Sequence, residues 1–359
     1  MSFLIAAAGT GGHVFPGLAV GEGLLDLGVE RSEVVYVGGD RLEATVYPRE
    51  GFRFVAVELA GLKRSLTLEN LRLPGVVRRA RAVIGDLIEG AGVRAVLGMG
   101  GYVTIPAALA ARREAVDFFN AEQNAEAGLA NKVTARWARK SFVSFPETAG
   151  LPKGTWVGNP VRKVFWEFDR AGLRTVALEH YGLSGDRPVI GVFGGSLGAG
   201  VINEEIAAMA ASWSSDPVSI VHLTGESHLD ELAAIEPARG VRWVRIGFED
   251  RMDLFYAVSD LVIARAGGAV AELTATATPA VLVPGQFGSG SHQERNALAL
   301  HSQGAAEVVP QADIARLGET VTGLLGNRSR LTAMAEAASE LSRPEAARTI
   351  ARAMIEAAA

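Results

Sequence analysis

The chain has no cysteine among its 359 residues. Disulfides, thiolate catalysis and cysteine-bound metal are thereby excluded, and the composition agrees with a reducing compartment. No apolar run approaches the roughly 18–20 residues of a membrane span. The apolar stretch 3–7 has no basic flank before it and runs straight into Gly9-Thr10-Gly11-Gly12, so it reads as a buried strand and not as a signal peptide. Neither charge sign dominates: 35 Lys and Arg stand against 40 Asp and Glu, a net charge of −5 that argues against a nucleic-acid partner. No Asp-x-Asp pair lies at a strand end, and the six histidines (13, 180, 222, 228, 292, 301) lack metal-ligand spacing, so no protein-held metal is expected. What remains is ordinary for a folded chain, 48% hydrophobic and 21% charged, and long enough for two domains.

Short apolar runs alternate with helix-period segments almost throughout. Strands are expected at 2–7, 33–37, 52–57, 94–98, 115–119 and 141–145, and helices at 14–27, 75–90, 103–113 and 126–139. The second half repeats the scheme, with strands at 188–193, 218–223, 241–246, 260–264, 280–284 and 305–309. Its helices are expected at 200–212, 228–235, 251–258, 269–277, 292–303 and 311–325. Such alternation implies right-handed βαβ units and parallel sheets. Continuous apolar strands such as Ala280-Val281-Leu282-Val283 suit a sheet covered on both faces. The turn Gly158-Asn159-Pro160-Val161-Arg162 marks a boundary. The expected domains are 1–162 and 163–340, followed by a C-terminal helix at 341–359 that either caps the second domain or crosses back to the first.

Each half opens on a glycine-rich turn after an apolar strand. The first is Ala8-Gly9-Thr10-Gly11-Gly12-His13 and the second Gly194-Gly195-Ser196-Leu197-Gly198-Ala199. Glycine lets backbone approach a ligand closely, and a helix start offers N–H groups and partial positive charge. One such turn reads equally well as plain strand-to-helix packing. Two, heading consecutive halves, suggest an α/β fold of twin Rossmann-like parallel-sheet domains facing across a cleft. In open α/β sheets ligands bind beyond the carboxyl ends of strands, and there the polar and glycine residues concentrate.

Read in order, these motifs resemble the MurG family of bacterial glycosyltransferases over nearly the whole chain. They are Gly9-Thr10-Gly11-Gly12-His13-Val14-Phe15-Pro16; Gly98-Met99-Gly100-Gly101-Tyr102-Val103; Glu122-Gln123-Asn124 with Asn131-Lys132; Gly158-Asn159-Pro160-Val161-Arg162; the second glycine-rich turn; Arg265-Ala266-Gly267; Ala271-Glu272-Leu273; and His292-Gln293 with Asn296-Ala297. The resemblance implies a GT-B fold. It also implies inverting transfer of N-acetylglucosamine (GlcNAc) from UDP-GlcNAc to the 4-hydroxyl of lipid I, the undecaprenyl-diphosphate-linked N-acetylmuramoyl-pentapeptide. The product is lipid II, for peptidoglycan synthesis, cell shape and division. Implied partners are UDP-GlcNAc, lipid I, an anionic membrane surface and cell-wall synthesis proteins, with no nucleic acid. The implied location is peripheral, on the cytoplasmic face of the cell membrane. No cofactor is implied, beyond room for a loosely bound Mg2+ on the diphosphate.

Carried onto this chain, the family's pattern places Thr10, Gly11, Gly12 and His13 at the acceptor diphosphate and reacting hydroxyl. His13 and Glu122 are rival bases for the acceptor proton, and His13 as a pure phosphate ligand stays open beside them. Asn124 would position donor sugar or acceptor. Ser196, Gly268 and Ala269 would meet the UDP diphosphate, where fixed N–H dipoles suit leaving-group charge. Glu272 would accept from the ribose hydroxyls, as acidic residues do in other nucleotide sites. Gln293, with His292 beside it, would bind sugar hydroxyls, and Arg162 would lie by the nucleotide. Glu249 falls where backbone atoms hold uracil, so its side chain need not matter.

Four positions depart from the family's usual pattern. Ala121 replaces a histidine, Leu197 a glutamine and Ser291 an aspartate, while the 265–272 segment is one residue short. They keep two alternatives in view: another GT-B glycolipid glycosyltransferase, and a non-catalytic UDP-sugar-binding paralogue. The stretch 61–81 sets Lys63, Arg64, Arg72, Arg78, Arg79 and Arg81 against Glu69, with Leu66, Leu68, Leu71, Leu73, Val76 and Val77 interleaved. Alone it reads as a helix packed on a sheet with solvated arginines. The implied lipid substrate turns it toward a membrane surface.

Overall fold

A computed structural model describes residues 1–59, 73–151, 153–194, 200–285 and 292–359. The chain divides into two units, Met1–Lys163 with Arg343–Ala359, and Val164–Ser342. Each is a parallel sheet flanked by helices.

The first sheet consists of β1 (Ser2–Ala6), β2 (Val34–Gly38), β3 (Arg53–Ala56), β4 (Val93–Gly98), β5 (Asp117–Glu122), β6 (Lys140–Val143) and β7 (Thr155–Trp156). Its order is β3-β2-β1-β4-β5-β6-β7, with Ile5 opposite both Tyr36 and Leu97. The alternation of strand side chains explains its apolar runs. Phe3, Ile5 and Ala7 face one helical layer and Leu4, Ala6 and Ala8 the other, so every residue of the run has apolar cover. Its helices are α1 (Gly11–Asp26), α2 (Glu43–Arg49), α3 (Leu73–Gly90), α4 (Thr104–Arg113) and α5 (Leu129–Thr134).

The second sheet holds β8 (Val189–Phe193), β9 (Val218–Leu223), β10 (Val241–Ile246), β11 (Leu261–Ala264), β12 (Ala280–Leu282) and β13 (Ala306–Val308), in the order β10-β9-β8-β11-β12-β13. Around it lie α6 (Arg170–Tyr181), α7 (Gly200–Ser212), α8 (Leu229–Ala233), α9 (Met252–Val258), α10 (Ala269–Ala275), α11 (His292–Ser302), α12 (Leu317–Leu325) and α13 (Arg328–Leu341). α6 is bounded by chemistry read directly from its sequence. Asp169 caps its start by accepting from Gly172 N–H, and Gly182, at φ +62°, ends it. In both sheets the strand order reverses beside the first strand, between β1 and β4 and between β8 and β11. That is where doubly wound sheets place ligands.

The last helix, α14 (Ala346–Ala358), belongs to the first unit. It buries Ile350, Ala351 and Met354 in the same core as Leu18 and Leu24 of α1. One α1 glycine permits the close approach: a Cβ at Gly23 would lie 2.9 Å from the Ala347 carbonyl oxygen, while Gly21 makes room for the Tyr36 hydroxyl on the sheet. In an unconstrained helix Gly→Ala stabilises by about 1 kcal/mol. Here the obstacle is backbone, so Gly23→Ala is expected to destabilise by about 1–3 kcal/mol, as overpacking does. Urea unfolding checks the sign, and a gain in stability would contradict the packing described.

The expected elements shift where local pattern and backbone part company. The strand expected at 115–119 runs from Asp117 to Glu122, because Ala115 takes a left-handed turn at φ +53°. This moves Glu122 from the loop onto the strand's last position. The helix expected at 126–139 is only Leu129–Thr134 followed by a 3-10 turn, Ala135–Trp137. The one expected at 311–325 splits into a 3-10 segment, Gln311–Arg316, and α12. α2 was not expected at all. The part of the basic stretch at 61–72 lies outside the described residues. Its described remainder opens α3, whose Val76, Ala80, Ile84 and Ile88 are buried on the sheet. Arg79 pairs with Glu58 at the surface, at 2.8 Å. No described helix is long and apolar enough to cross a membrane.

β9 carries a fully buried His222, whose Nε2 lies 3.0 Å from Asn203 Oδ1 on α7 and whose ring stacks on Trp243. Burial, with Arg245 nearby, pulls its pKa from 6.5 down to about 3. The depressed value means the unfolded chain binds this proton first. The contribution to stability is complete above about pH 6.5 and declines by about 1.4 kcal/mol per unit as pH falls toward the folded value. The His222 ring proton signals in NMR should therefore not titrate between about pH 8 and pH 5. A titration within that range would contradict the burial effect.

Candidate active site

In the first unit, the loop after β1 is fastened before it reaches its polar residues. Gly9, at φ +103°, donates its N–H to Glu43 Oε2 at 3.1 Å. Gly39, after β2, donates to Glu43 Oε1 at 2.9 Å. Glu43 is 1% exposed, so one buried carboxylate ties two strand-end loops together. α1 follows at once. Thr10 is its N-cap in extended conformation, and its carbonyl accepts from His13 and Val14. The Thr10 hydroxyl makes no capping bond. Gly11 and Gly12 thus lie in the first helical turn, where N–H groups lack intrahelical acceptors and the dipole is positive.

His13, also in that turn, is half-buried, with its imidazole against the loop after β4. Gly100 and Gly101 there have φ of +89° and +73°. A Cβ at Gly100 would lie 3.1 Å from His13 Nε2 and 3.3 Å from Asn131 Nδ2. Glycine at 100 therefore meets two requirements together, the left-handed turn and the room for the imidazole.

Glu122 lies behind this pair and is 3% exposed. Its Oε1 accepts from the Asn124 N–H and from Asn124 Nδ2, both at 3.0 Å. Its Oε2 accepts from Gly128 N–H at 2.9 Å and Asn131 Nδ2 at 2.8 Å. Four donors converge on one buried carboxylate, which fixes the loop from Asn124 to Gly128 and the side chains of Asn124 and Asn131. Asn131 Nδ2 also reaches the Ala121 carbonyl at 2.9 Å. Ala121 is buried, so the residue that departs from the family's histidine is a core position here. Arg162 sets its guanidinium 5.4 Å from the ring centre of Phe15 on α1.

In the second unit, Ser196 lies outside the described residues. Arg265 directly follows β11; it is 7% exposed and donates to the Val283 carbonyl at 3.0 Å. Burial lowers its pKa from the usual guanidinium value. Gly285 packs beside the Arg265 guanidinium, and its N–H donates to Gln293 Oε1 at 2.7 Å. The amide nitrogen of Gln293 is thereby the end turned to other partners. His292, next to it, opens α11, and its Nδ1 has no hydrogen-bond partner among the described residues. Asn296 anchors α11 to the loop after β11 through the Ala266 carbonyl, at 3.0 Å.

Gly268 is the N-cap of α10 and Ala269 its first residue; Glu272 follows in the same turn, half-buried, and accepts from the Tyr256 hydroxyl at 2.9 Å. The Glu249 carboxylate turns to the end of α6. It accepts from Tyr181 at 2.9 Å, contacts His180 Nε2 at 3.1 Å and takes Arg251 N–H at 2.7 Å. Burial and Glu249 push the Tyr181 phenol pKa well up. Glu249 therefore shapes the loop from 247 to 251 through its own side chain.

The structure thus joins His13, Glu122 and Asn124 through Gly100 and Asn131, and joins Gln293 to Arg265 through Gly285. Glu43, Asn131 and Tyr256 hold these groups, and sequence reading gave none of them a role. Asn131 stood inside a quoted motif. Glu43 and Tyr256 carried no local signal, because each acts on a residue at least 16 positions away. Among the described residues, no group of three or more His, Cys, Asp or Glu could hold a metal ion.

Comparison with known proteins covers the same ground. The N-terminal domain of glycosyltransferase family 28 matches residues 3–143, and the C-terminal domain of that family matches residues 189–350. A protein of Mycolicibacterium paratuberculosis is 37% identical over 365 residues, covering 99% of this chain and 88% of the relative. One of Nocardia farcinica is 38% identical over 368 residues, covering 98% of this chain and 94% of the relative. Both are named UDP-N-acetylglucosamine--N-acetylmuramyl-(pentapeptide) pyrophosphoryl-undecaprenol N-acetylglucosamine transferase. The crystal structure of Acinetobacter baumannii MurG superposes with a TM-score of 0.77 at 26% identity, covering 99% of this chain and all of that one.

Proposed function

The chain belongs to glycosyltransferase family 28, and we propose that it transfers GlcNAc from UDP-GlcNAc to the 4-hydroxyl of lipid I with inversion. The observation that carries the substrates is identity of 37% across 99% of the chain to a transferase named for that donor and acceptor. In the proposed reaction the acceptor oxygen forms a bond to C1 of GlcNAc as the C1–oxygen bond to UDP breaks. The proton of the 4-hydroxyl passes to the His13 imidazole, and UDP leaves with the electron pair.

His13 suits the base role because its half-buried ring stands at the start of α1, beside amides suited to the acceptor diphosphate. Glu122 does not suit it. Both its oxygens are engaged by four donors and the side chain is shut from solvent, so an incoming hydroxyl has no open oxygen to approach. It acts instead as the anchor of Asn124 and Asn131. On the donor side, Glu272 takes the ribose hydroxyls, the Gln293 amide nitrogen takes a sugar hydroxyl, and Ser196 with the start of α10 meets the diphosphate. The work is placed at the cytoplasmic face of the membrane, where lipid I is met by a peripheral protein. No step requires a metal, and Mg2+ has a place only on the diphosphate.

The test is the linkage itself. Incubation with UDP-GlcNAc and a soluble short-chain lipid I analogue should yield UDP and a disaccharide with a β-GlcNAc anomeric signal in NMR. An α linkage would contradict inversion, and free GlcNAc in place of the disaccharide would contradict transfer.

A further inference from the structure

We infer that Glu43 is a positioning residue for acceptor binding: its carboxylate sets the Ala8–Gly9 peptide and so aims the start of α1 at the acceptor diphosphate. The inference rests on the reading of that helix start given above. Gly9 needs a holder. A Cβ built there would meet nothing within 4 Å, so glycine answers here to a φ of +103° and not to crowding. A glycine with room around it turns easily. Its holder is Glu43 Oε2, which accepts from the Gly9 N–H at 3.1 Å, while Oε1 accepts from the Gly39 N–H at 2.9 Å. The stem of the side chain has its own space, since a Cβ at Gly38 would lie 2.8 Å from Glu43 Cγ. One turn further along α2, Tyr47 is fully buried and stacks on Tyr36 with ring centroids 3.9 Å apart. Its hydroxyl donates to the Val14 carbonyl at 3.0 Å. Residues four apart share a helix face, and this face of α2 grips the approach to α1 at Gly9 and its first turn at Val14.

The sign of the charge separates positioning from attraction. A carboxylate repels a diphosphate, so the negative charge of Glu43 is not what serves the acceptor. What it supplies is geometry. With the Ala8–Gly9 peptide pinned, Thr10 enters α1 in extended conformation, exposed and with no capping bond from its hydroxyl. The Gly11 and Gly12 N–H groups follow in the first turn, where no intrahelical acceptor meets them. Without Glu43 the Gly9 N–H loses its acceptor, and the peptide turns toward another one, carrying Thr10 and the helix start with it. Preorganised donors cost less ordering on binding. The expected consequence is that Glu43 tunes the acceptor and leaves the donor nucleotide alone.

Steady-state kinetics of wild type, E43Q, E43D and T10V with UDP-GlcNAc and a short-chain lipid I analogue test this. Glutamine nearly keeps the shape and removes the charge, but sets an amide NH2 against one of the two glycine donors. Aspartate keeps the charge and is one methylene too short to reach both glycines. Each should raise the KM for the acceptor about fivefold or more and leave the KM for UDP-GlcNAc within about twofold, as loss of a hydrogen bond to a charged acceptor predicts. Loss of folded enzyme lowers the apparent kcat and moves neither KM, so the split between substrates reports positioning. E43D answers the question should E43Q not fold. T10V checks the reading beneath, because it removes the hydroxyl offered to the diphosphate and should raise the same KM. Suppose T10V raises the acceptor KM while the Glu43 variants leave it unchanged or shift both KM values alike. The positioning role is then overturned and the diphosphate reading stands. A lower acceptor KM in E43Q, as relief of charge repulsion would give, overturns the role in the same way. No transfer by the wild type, or an unchanged acceptor KM in T10V, would overturn the reading on which the inference rests, and the inference with it.

Discussion

His13→Ala lowers kcat about a thousandfold and leaves the KM for UDP-GlcNAc within about twofold, the pattern of a group that acts only in the transition state. The geometry makes the variant clean. His13 sits in the first turn of a 16-residue helix and is half-buried, and alanine clears the Gly100–Gly101 loop that its ring now covers. The Glu43 clamp on Gly9 does not pass through the imidazole, so the helix start should keep its place. Circular dichroism should show an unchanged melting transition. A fall in affinity for UDP-GlcNAc with kcat preserved would place His13 in binding and remove it from proton transfer.

Glu122→Gln is expected to fail differently, in stability as well as rate. The amide has nearly the shape of the carboxylate but replaces one acceptor oxygen by a donor. Whichever way it turns, its NH2 meets two of the four donors now held by Glu122. Buried donors left without acceptors cost about 1–3 kcal/mol each, so the unfolding free energy should drop by about 2–4 kcal/mol. Below the melting point kcat should fall only about tenfold, because the loosened Asn131 disturbs His13 through the Gly100 loop and not by removing a base. Urea unfolding and steady-state kinetics on the same sample separate the cases. Unchanged stability with a thousandfold loss of rate would make Glu122 the base.

Much of this molecule could be read from its residues. β11 and β12, and β1 after Ser2, are continuous apolar runs because helices cover both sheet faces, and the glycine-rich turns announce loops at the strand ends. The strand at Asp117–Glu122 was harder. The run Ala115-Val116 is as apolar as the strand it precedes, and a left-handed alanine leaves no glycine to mark the turn. α2 was invisible because it spans seven residues with Pro48 in its last turn. The site divides in the same way. Thr10, His13 and Glu122 announce themselves as polar residues at strand ends. Their holders do not: Glu43 reaches 34 residues back to Gly9, and Tyr256 lies 16 residues from Glu272 in a mostly apolar helix. Side chains that act through another residue leave a mark only in three dimensions. The saturation of Glu122, which decides its role, is likewise a count of donors that spacing does not supply.

The central claim is that this chain moves GlcNAc onto a lipid-linked acceptor with His13 taking the proton. Transfer of radiolabelled GlcNAc from UDP-GlcNAc to a short-chain lipid I analogue, with wild type and His13→Ala side by side, tests it most directly. The account predicts labelled disaccharide lipid from the wild type and about a thousandth of that rate from the variant, with UDP binding retained in both. No labelled lipid from a wild type that still binds UDP, or comparable rates from the two proteins, would contradict it.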